Sequence, residues 1–174
     1  MLSKKYIHYG WDHFDPTYFN QDFDDSKYVN RGWHWPKPFN HKAGLWASPE
    51  NCHYSWRNFC EAEDYHVSDL NSSFVFTIKH PENIFHVKDE RTLCSFIMGY
   101  MKEHDRTRQS YIDTFIKGDG YPSPIGIYYN KLIEDGYVGL EVDMSIYWKI
   151  RPIFCPWDCD SILVFKPEEI VEVK

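Results

Sequence analysis

The sequence of 174 residues lacks the glycine-rich and serine-centred motifs on which many enzymes depend. It contains no Gly-x-Gly-x-x-Gly, no P-loop pattern and no Gly-x-Ser-x-Gly, so Rossmann, P-loop and serine-hydrolase folds have no support. Basic residues are also scarce, because 19 Lys and Arg stand against 26 Asp and Glu, for a net charge of −7. Nucleic-acid binding by phosphate neutralisation needs Lys and Arg gathered on one face. We therefore expect any macromolecular partner to be a protein rather than a nucleic acid.

Long apolar runs are missing as well. The sequence has no N-terminal apolar segment of the signal-peptide kind and no run of eighteen apolar residues, which predicts neither export nor a membrane span. We expect a cytoplasmic protein that does not bind membranes. Its five cysteines, an odd number at irregular spacing, form no disulfide framework, as is usual in a reducing compartment.

The one segment that suggests a metal site is CPWDCD, with Cys155 and Cys159 beside two aspartates. A structural zinc needs four ligands, usually with a second closely spaced pair, whereas seven residues separate Cys52 from Cys60 and neither has a tight Cys or His spacing. We therefore expect free, buried cysteines and no metal.

Aromatic residues are abundant, at 18% of the chain, while the mean hydropathy is only −0.59. A core of large rings with polar tips tolerates polar ligands. With 43% hydrophobic residues and no internal repeat, residues 1–174 suit a single domain with a real core.

Hydrophobic periodicity and turn residues predict α+β structure, with strands at both ends and helices between. The clearest helix follows Asp89, because Leu93, Phe96, Ile97 and Tyr100 share one helical face. Residues 11–42 show neither period and are predicted to be a long surface loop. The predicted strands are 5–10, 44–47, 73–79, 84–87, 137–142, 146–154 and 161–165, and weaker helices are predicted at 107–116 and 125–134, separated by a turn at 118–122.

The stretch GLWASPENCHYSWRNF, residues 44–59, combines a short strand with a helix-start signal and several rings. Ser48 followed by Pro49 and Glu50 predicts a helix that begins at Pro49. Ser55 and Phe59 would then share a face of that helix. A hydroxyl beside flat aromatic faces suits a heteroaromatic amide, but this stretch taken alone favours the simpler interpretation that Trp46, Trp56 and Phe59 fill a core.

Taken in chain order, four features resemble one family: His8 at the end of the first strand, the Gly44–Ser48 segment GLWAS, the Phe-Val-Phe strand, and an acid opening the last strand. The family is the diphtheria-toxin-like, or His-Tyr-Glu, group of ADP-ribosyltransferases, which includes the poly(ADP-ribose) polymerases. The resemblance spans roughly residues 5–88 and 137–173. It implies a split β-sandwich of two small packed sheets with flanking helices, NAD as the substrate, and transfer of ADP-ribose to a macromolecular acceptor with release of nicotinamide.

The resemblance also implies roles for individual residues. The family histidine binds the adenosine ribose and the adjoining backbone holds the nicotinamide amide, while the second motif supplies two ring walls and a serine for the amide. Trp46 stands where the family has a tyrosine, and Tyr9 intervenes between the histidine and the glycine. The residues so assigned to NAD are His8, Tyr9, Gly10, Gly44, Trp46, Ser48, Ser55, Trp56 and Phe59.

The family acid is a glutamate at the front of a late strand, where it bonds the nicotinamide ribose. The acid at this place in the sequence is Asp160, which lies one residue before the family position and has a side chain one methylene shorter. Asp160 is therefore the expected catalytic acid, with Asp158 in reserve. Because strand residues alternate between faces, Asp160 and Ser161 are mutually exclusive at the ribose. Glu141 is a further candidate.

A second hypothesis is a non-enzymatic interaction module that docks a protein through the aromatic loop from Trp33 to Phe39. Such a module would show an exposed apolar patch around Trp33 and Trp35 and no enclosed cavity beside Trp46.

Overall fold

A computed structural model describes residues 3–23, 43–101, 127–144, 154 and 157–174. Its strands are β1 (Lys5–Tyr9), β2 (Leu45–Pro49), β3 (Ser73–Ile78), β4 (Ile84–Val87), β5 (Gly139–Val142), β6 (Ser161–Val164) and β7 (Ile170–Glu172). The α-helices are α1 (Trp56–Glu63), α2 (Glu90–Tyr100) and α3 (Tyr129–Glu134). Short 3-10 helices occupy Pro16–Tyr18, Val67–Asn71, Pro81–Asn83 and Pro167–Glu169.

The strands form one mixed seven-stranded sheet in the order β4-β5-β6-β2-β1-β3-β7. Only the β4–β5 pair is parallel, and the other neighbours are antiparallel. The central strand β2 is shared between two parts of the sheet, because Leu45, Trp46 and Ala47 pair with β6 while Ser48 and Pro49 pair with β1. The result is mixed α and β structure with few helices, compatible with the α+β class.

Each face of the sheet packs against its own hydrophobic cluster. Directly opposed residues in an antiparallel pair share a face, so Tyr6, Phe76 and Ala47 lie on one side and Leu163 with Trp46 on the other. The first side carries a cluster built around Tyr6, Phe74, Phe76, Ile162 and Val164. The second side is covered by α2 and α3, which bury Leu93, Phe96, Ile97 and Leu132 against Leu140, Val142 and Leu163.

The helix after Asp89 is confirmed. Asp89 and Thr92 form a reciprocal capping box, and Leu93, Phe96, Ile97 and Tyr100 are all buried. The strands predicted near residues 5–10, 73–79, 84–87, 137–142 and 161–165 are also present, with ends shifted by up to two residues. Of the predicted helix 125–134, only Tyr129–Glu134 is helical and forms α3, since Ile127 forms a β-bridge with Met101. The helix ends before Gly136, whose φ of +93° suits a glycine after a helix.

The predicted helix start at Ser48 is wrong. Ser48 and Pro49 belong to β2, opposite Ile7 and Tyr6 of β1, and α1 begins only at Trp56 with Ser55 as its N-cap. Both serines carry valid capping chemistry, and pairing with β1 decides which one starts the helix. Strand β7 was not predicted. The helix at 107–116, the turn at 118–122 and residues 146–153 of the strand predicted at 146–154 lie outside the described residues. Phe154, the described end of that predicted strand, is buried but helical.

Among the described residues, none of the helices combines the length and the apolar character that crossing a membrane requires.

Candidate functional site

A cavity opens where β1 and β2 part. The two strands pair only through Tyr6 with Pro49 and Ile7 with Ser48, after which β1 stays with β3 as far as Tyr9 while β2 turns to β6. The cavity between them measures about 440 Å³, within the range of small-molecule sites. Its described lining comprises Ile7, His8, Tyr9, Trp46, Ala47, Ser48, Trp56, Tyr65, His66, Asp69, Trp157, Asp158 and Ser161.

His8 bridges the two strands at this opening. Its Nδ1 lies 2.7 Å from the backbone oxygen of Trp46, and because a carbonyl only accepts, Nδ1 carries the proton. Burial lowers the pKa of His8, and the hydrogen bond to Trp46 raises it by less. The ring is therefore neutral at neutral pH. Its buried Nε2 then presents a lone pair, for which the described residues supply no hydrogen-bond donor.

Large rings form the walls of the cavity, and each is held by a neighbour. The Trp46 ring meets buried Trp157 edge to face, with centroids 4.7 Å apart. Phe59 stacks on Trp56 at 5.4 Å, and Tyr65 contacts both of those rings at an edge. Rings fixed by such packing lose little conformational entropy when a ligand binds.

Ser48 connects the two halves of the aromatic wall. Its buried hydroxyl oxygen accepts the backbone N–H of Trp56 at 2.8 Å, which ties the first residue of α1 to the strand that carries Trp46. Ser55 serves the same helix end, because its oxygen accepts the N–H of Asn58 at 3.3 Å. Both hydroxyls are thus used to satisfy N–H groups that a helix start leaves without partners.

Of the two candidate acids, the structure places Asp158 at the cavity and Asp160 outside it. Asp160 precedes β6 and falls on the face of Ile162, whereas Ser161 falls on the opposite face and lines the cavity. The Asp160 carboxylate accepts the N–H of Met144 at 2.7 Å, and burial raises its pKa. Strand alternation therefore removes the expected acid from the site and leaves Asp158, which lies in the loop before β6.

Asp160 lines a second cavity, of about 510 Å³, on the other face of the sheet. There the buried carboxylate of Glu141 accepts the Tyr6 hydroxyl at 2.6 Å and pairs with the Lys4 ammonium. The His86 imidazole lies 3.6 Å from the same carboxylate. Glu141, the remaining candidate acid, is thus committed to a buried network away from the β1–β2 cavity.

The structure brings together six of the residues expected at the NAD site, namely His8, Tyr9, Trp46, Ser48, Trp56 and Asp158. Gly10, Gly44, Ser55, Phe59 and Asp160 do not line the cavity. Gly44 has a structural reason to be glycine, because a Cβ there would lie 2.6 Å from the Val164 carbonyl oxygen and φ is +74°.

Several lining residues were not predicted. Tyr65, His66 and Asp69 reach the cavity from the segment after α1, and no local pattern in the sequence marks them. Trp157 directly precedes Asp158 in CPWDCD, a segment whose two cysteines and two aspartates suggest a metal site rather than an aromatic wall. Within the described residues, no three or more His, Cys, Asp and Glu side chains are grouped so that they could hold a metal ion.

Comparison with known proteins finds no match for this chain among protein-family models, curated proteins or solved structures.

Proposed function

We propose that this protein is an NAD-dependent ADP-ribosyltransferase, which releases nicotinamide and transfers ADP-ribose to a macromolecular acceptor, with protein the favoured acceptor. The observation that carries the proposal is the β1–β2 cavity, which gathers His8, Trp46, Trp56 and Asp158 from four separate segments. Those four residue types supply a ribose-binding group, two ring walls and a carboxylate.

The proposed chemistry begins with cleavage of the bond between nicotinamide and its ribose. Nicotinamide leaves with the bonding electrons, and positive charge develops on the ribose as it does in glycoside hydrolysis. A fixed carboxylate beside the ribose stabilises that charge, and we assign this role to Asp158. The acceptor nucleophile then attacks the same carbon and loses its proton.

The NAD contacts follow from the donors and acceptors of the cavity. The lone pair on His8 Nε2 suits a ribose hydroxyl as the donor, since the neutral tautomer is held by Trp46. We assign Trp46 and Trp56, which line the cavity, to contact with the nicotinamide ring. Ser161 donates its hydroxyl proton to the Cys159 carbonyl at 3.0 Å, and its oxygen lies 3.2 Å from the Cys159 thiol, which then donates to it. One lone pair of the Ser161 oxygen is left for an amide N–H.

The proposed fold is a split β-sandwich of two small packed sheets with flanking helices. Support for it comes from β2, whose two halves pair with different neighbours and so belong to different parts of the sheet. A cavity at the point where these parts separate is the feature that such an architecture would provide for a ligand.

The test is to incubate the purified protein with NAD and to measure released nicotinamide by chromatography, with water as the acceptor when no other is added. Asp158→Asn should lower the rate ~10²–10³-fold, the loss typical of one preorganised electrostatic group. Asp160→Asn should retain activity, because its side chain lies on the other face. No nicotinamide release by the wild type would refute the proposal, and loss of activity in Asp160→Asn alone would move the acid to the second cavity.

The alternative of an interaction module rests on Trp33 to Phe39, which lie outside the described residues. One of its two distinguishing features, an exposed apolar patch around Trp33 and Trp35, lies outside the described residues too; the other is the lack of an enclosed cavity beside Trp46. The cavity of about 440 Å³ that Trp46 lines favours the transferase.

A further inference from the structure

The β1–β2 cavity combines aromatic surface with negative charge. Trp46, Trp56, Tyr65 and Trp157 line it together with the carboxylates of Asp69 and Asp158. The face of an aromatic ring is negative and attracts cations, with tryptophan the strongest of the natural rings. The rings and the carboxylates thus both favour a ligand with positive charge.

Among the described residues that line the cavity, carboxylates outnumber permanently charged cations. Among the described lining residues there is no lysine or arginine, and the His66 imidazole lies 3.0 Å from Asp69. Arg57 is close by, but its guanidinium pairs with the Glu61 carboxylate at 3.4 Å and lies over the Tyr9 ring at 5.2 Å. Tyr9 therefore already holds a cation at the rim and is not counted among the aromatic walls of the proposed site.

The carboxylates of Asp69 and Asp158 also act on the neighbouring thiol of Cys60. Burial raises the pKa of Cys60, and the negative charges of Asp69 and then Asp158 raise it further. Both carboxylates thus lie close enough to the same thiol to affect its ionisation.

From this arrangement we propose that the cavity is an aromatic cage selective for organic cations, which binds a positively charged planar ring in preference to a neutral ring of the same shape. Asp158 supplies most of the discrimination and the tryptophans supply the shape. The inference deepens the proposed function and rests on it for the natural ligand, because the nicotinamide ring of NAD is a cation until its bond to ribose breaks. Selectivity for the charged ring would hold NAD and release the neutral product.

The test uses two probes of nearly equal shape, neutral nicotinamide and permanently charged 1-methylnicotinamide, titrated calorimetrically into the full chain. We expect the cation to bind about tenfold more tightly or better, a preference that higher salt reduces. Asp158→Asn should remove most of the preference by weakening 1-methylnicotinamide more than nicotinamide, whereas Trp46→Ala should weaken both probes.

Asp64→Asn is the matched control. Asp64 has the same left-handed backbone as Asp158, with φ of 50° and 51°, and asparagine tolerates that conformation at both positions. Asp64 does not line the cavity, so its variant should keep the wild-type preference. Agreement of the two urea midpoints would show that any difference in binding is not a folding defect.

Equal affinity for the two probes, binding of neither, or an unchanged preference in the Asp69→Asn, Asp158→Asn double variant would overturn the inference. The outcome is separable from that of the transferase test. A protein that prefers the cation but never consumes NAD would retain the cage and refute the transferase. Consumption of NAD without any cation preference would do the reverse.

Discussion

Removal of the Tyr6 hydroxyl should destabilise the protein more than removal of the Lys4 charge, although both groups bind the same carboxylate. The Tyr6 side chain is 1% exposed and donates to Glu141 at 2.6 Å, so water has little access to replace it in Tyr6→Phe. A hydrogen bond to a charged group contributes about 1.5–3 kcal/mol. The Lys4 side chain is 48% exposed, and solvent screening limits such an ion pair to about 1 kcal/mol or less.

Equilibrium unfolding in urea at pH 7, followed by tryptophan emission, measures both effects. With a urea slope of about 2 kcal/mol per M, Tyr6→Phe should lower the midpoint by about 1 M and Lys4→Met by less than about 0.5 M. Tyr18→Phe is the matched control, because Tyr18 is 71% exposed and its variant should stay within about 0.5 kcal/mol of wild type. A Lys4→Met shift equal to or larger than that of Tyr6→Phe would show that the ion pair, not the buried phenol, stabilises the carboxylate.

Two further predictions concern ionisation. Burial, and then the charge of Glu141, raises the pKa of Tyr6 above its ordinary value of 10.0, so the unfolded chain loses this proton at a lower pH than the folded chain. The contribution of Tyr6 to the free energy of unfolding should therefore be fully present below pH 10 and decrease as the pH rises above it. The decrease should be less steep in Tyr6→Phe, and identical pH profiles for the two proteins would contradict this. Burial raises the pKa of Asp160 above 3.8, so its ionisation opposes folding at neutral pH; Asp160→Asn, whose side-chain oxygen still accepts the Met144 N–H, should raise the urea midpoint at pH 7, and a lowered midpoint would show that the charge is stabilising.

The parts of the fold that the sequence predicts are those whose pattern is local. Phe74, Phe76 and Ile78 alternate along β3, and the apolar positions after Asp89 recur at helical spacing, so each element could be recognised without knowledge of its partners. Strand β7 is not predicted from the sequence, because its three residues are too few to show the alternation of apolar and polar side chains that marks a strand.

The start of α1 depends on a contact that is distant in sequence. Ser48 followed by Pro49 and Ser55 followed by Trp56 are both acceptable helix starts, and only the pairing of Ser48 with Ile7 in β1 excludes the first. The choice between Asp158 and Asp160 has the same origin. It depends on which face of β6 meets the cavity, and no residue near β6 in sequence reveals that face.

The position of β2 also has a consequence for how the chain is made. The cavity needs residues 7–9 from one end of the described chain and residues 157–161 from the other, which meet only across β2. A ribosome that adds about 5–20 residues per second would leave β1 and β2 exposed for many seconds before Trp157 and Ser161 emerge. The cavity is thus a late product of synthesis, and a nascent chain that lacks β6 has a strand edge open to other chains.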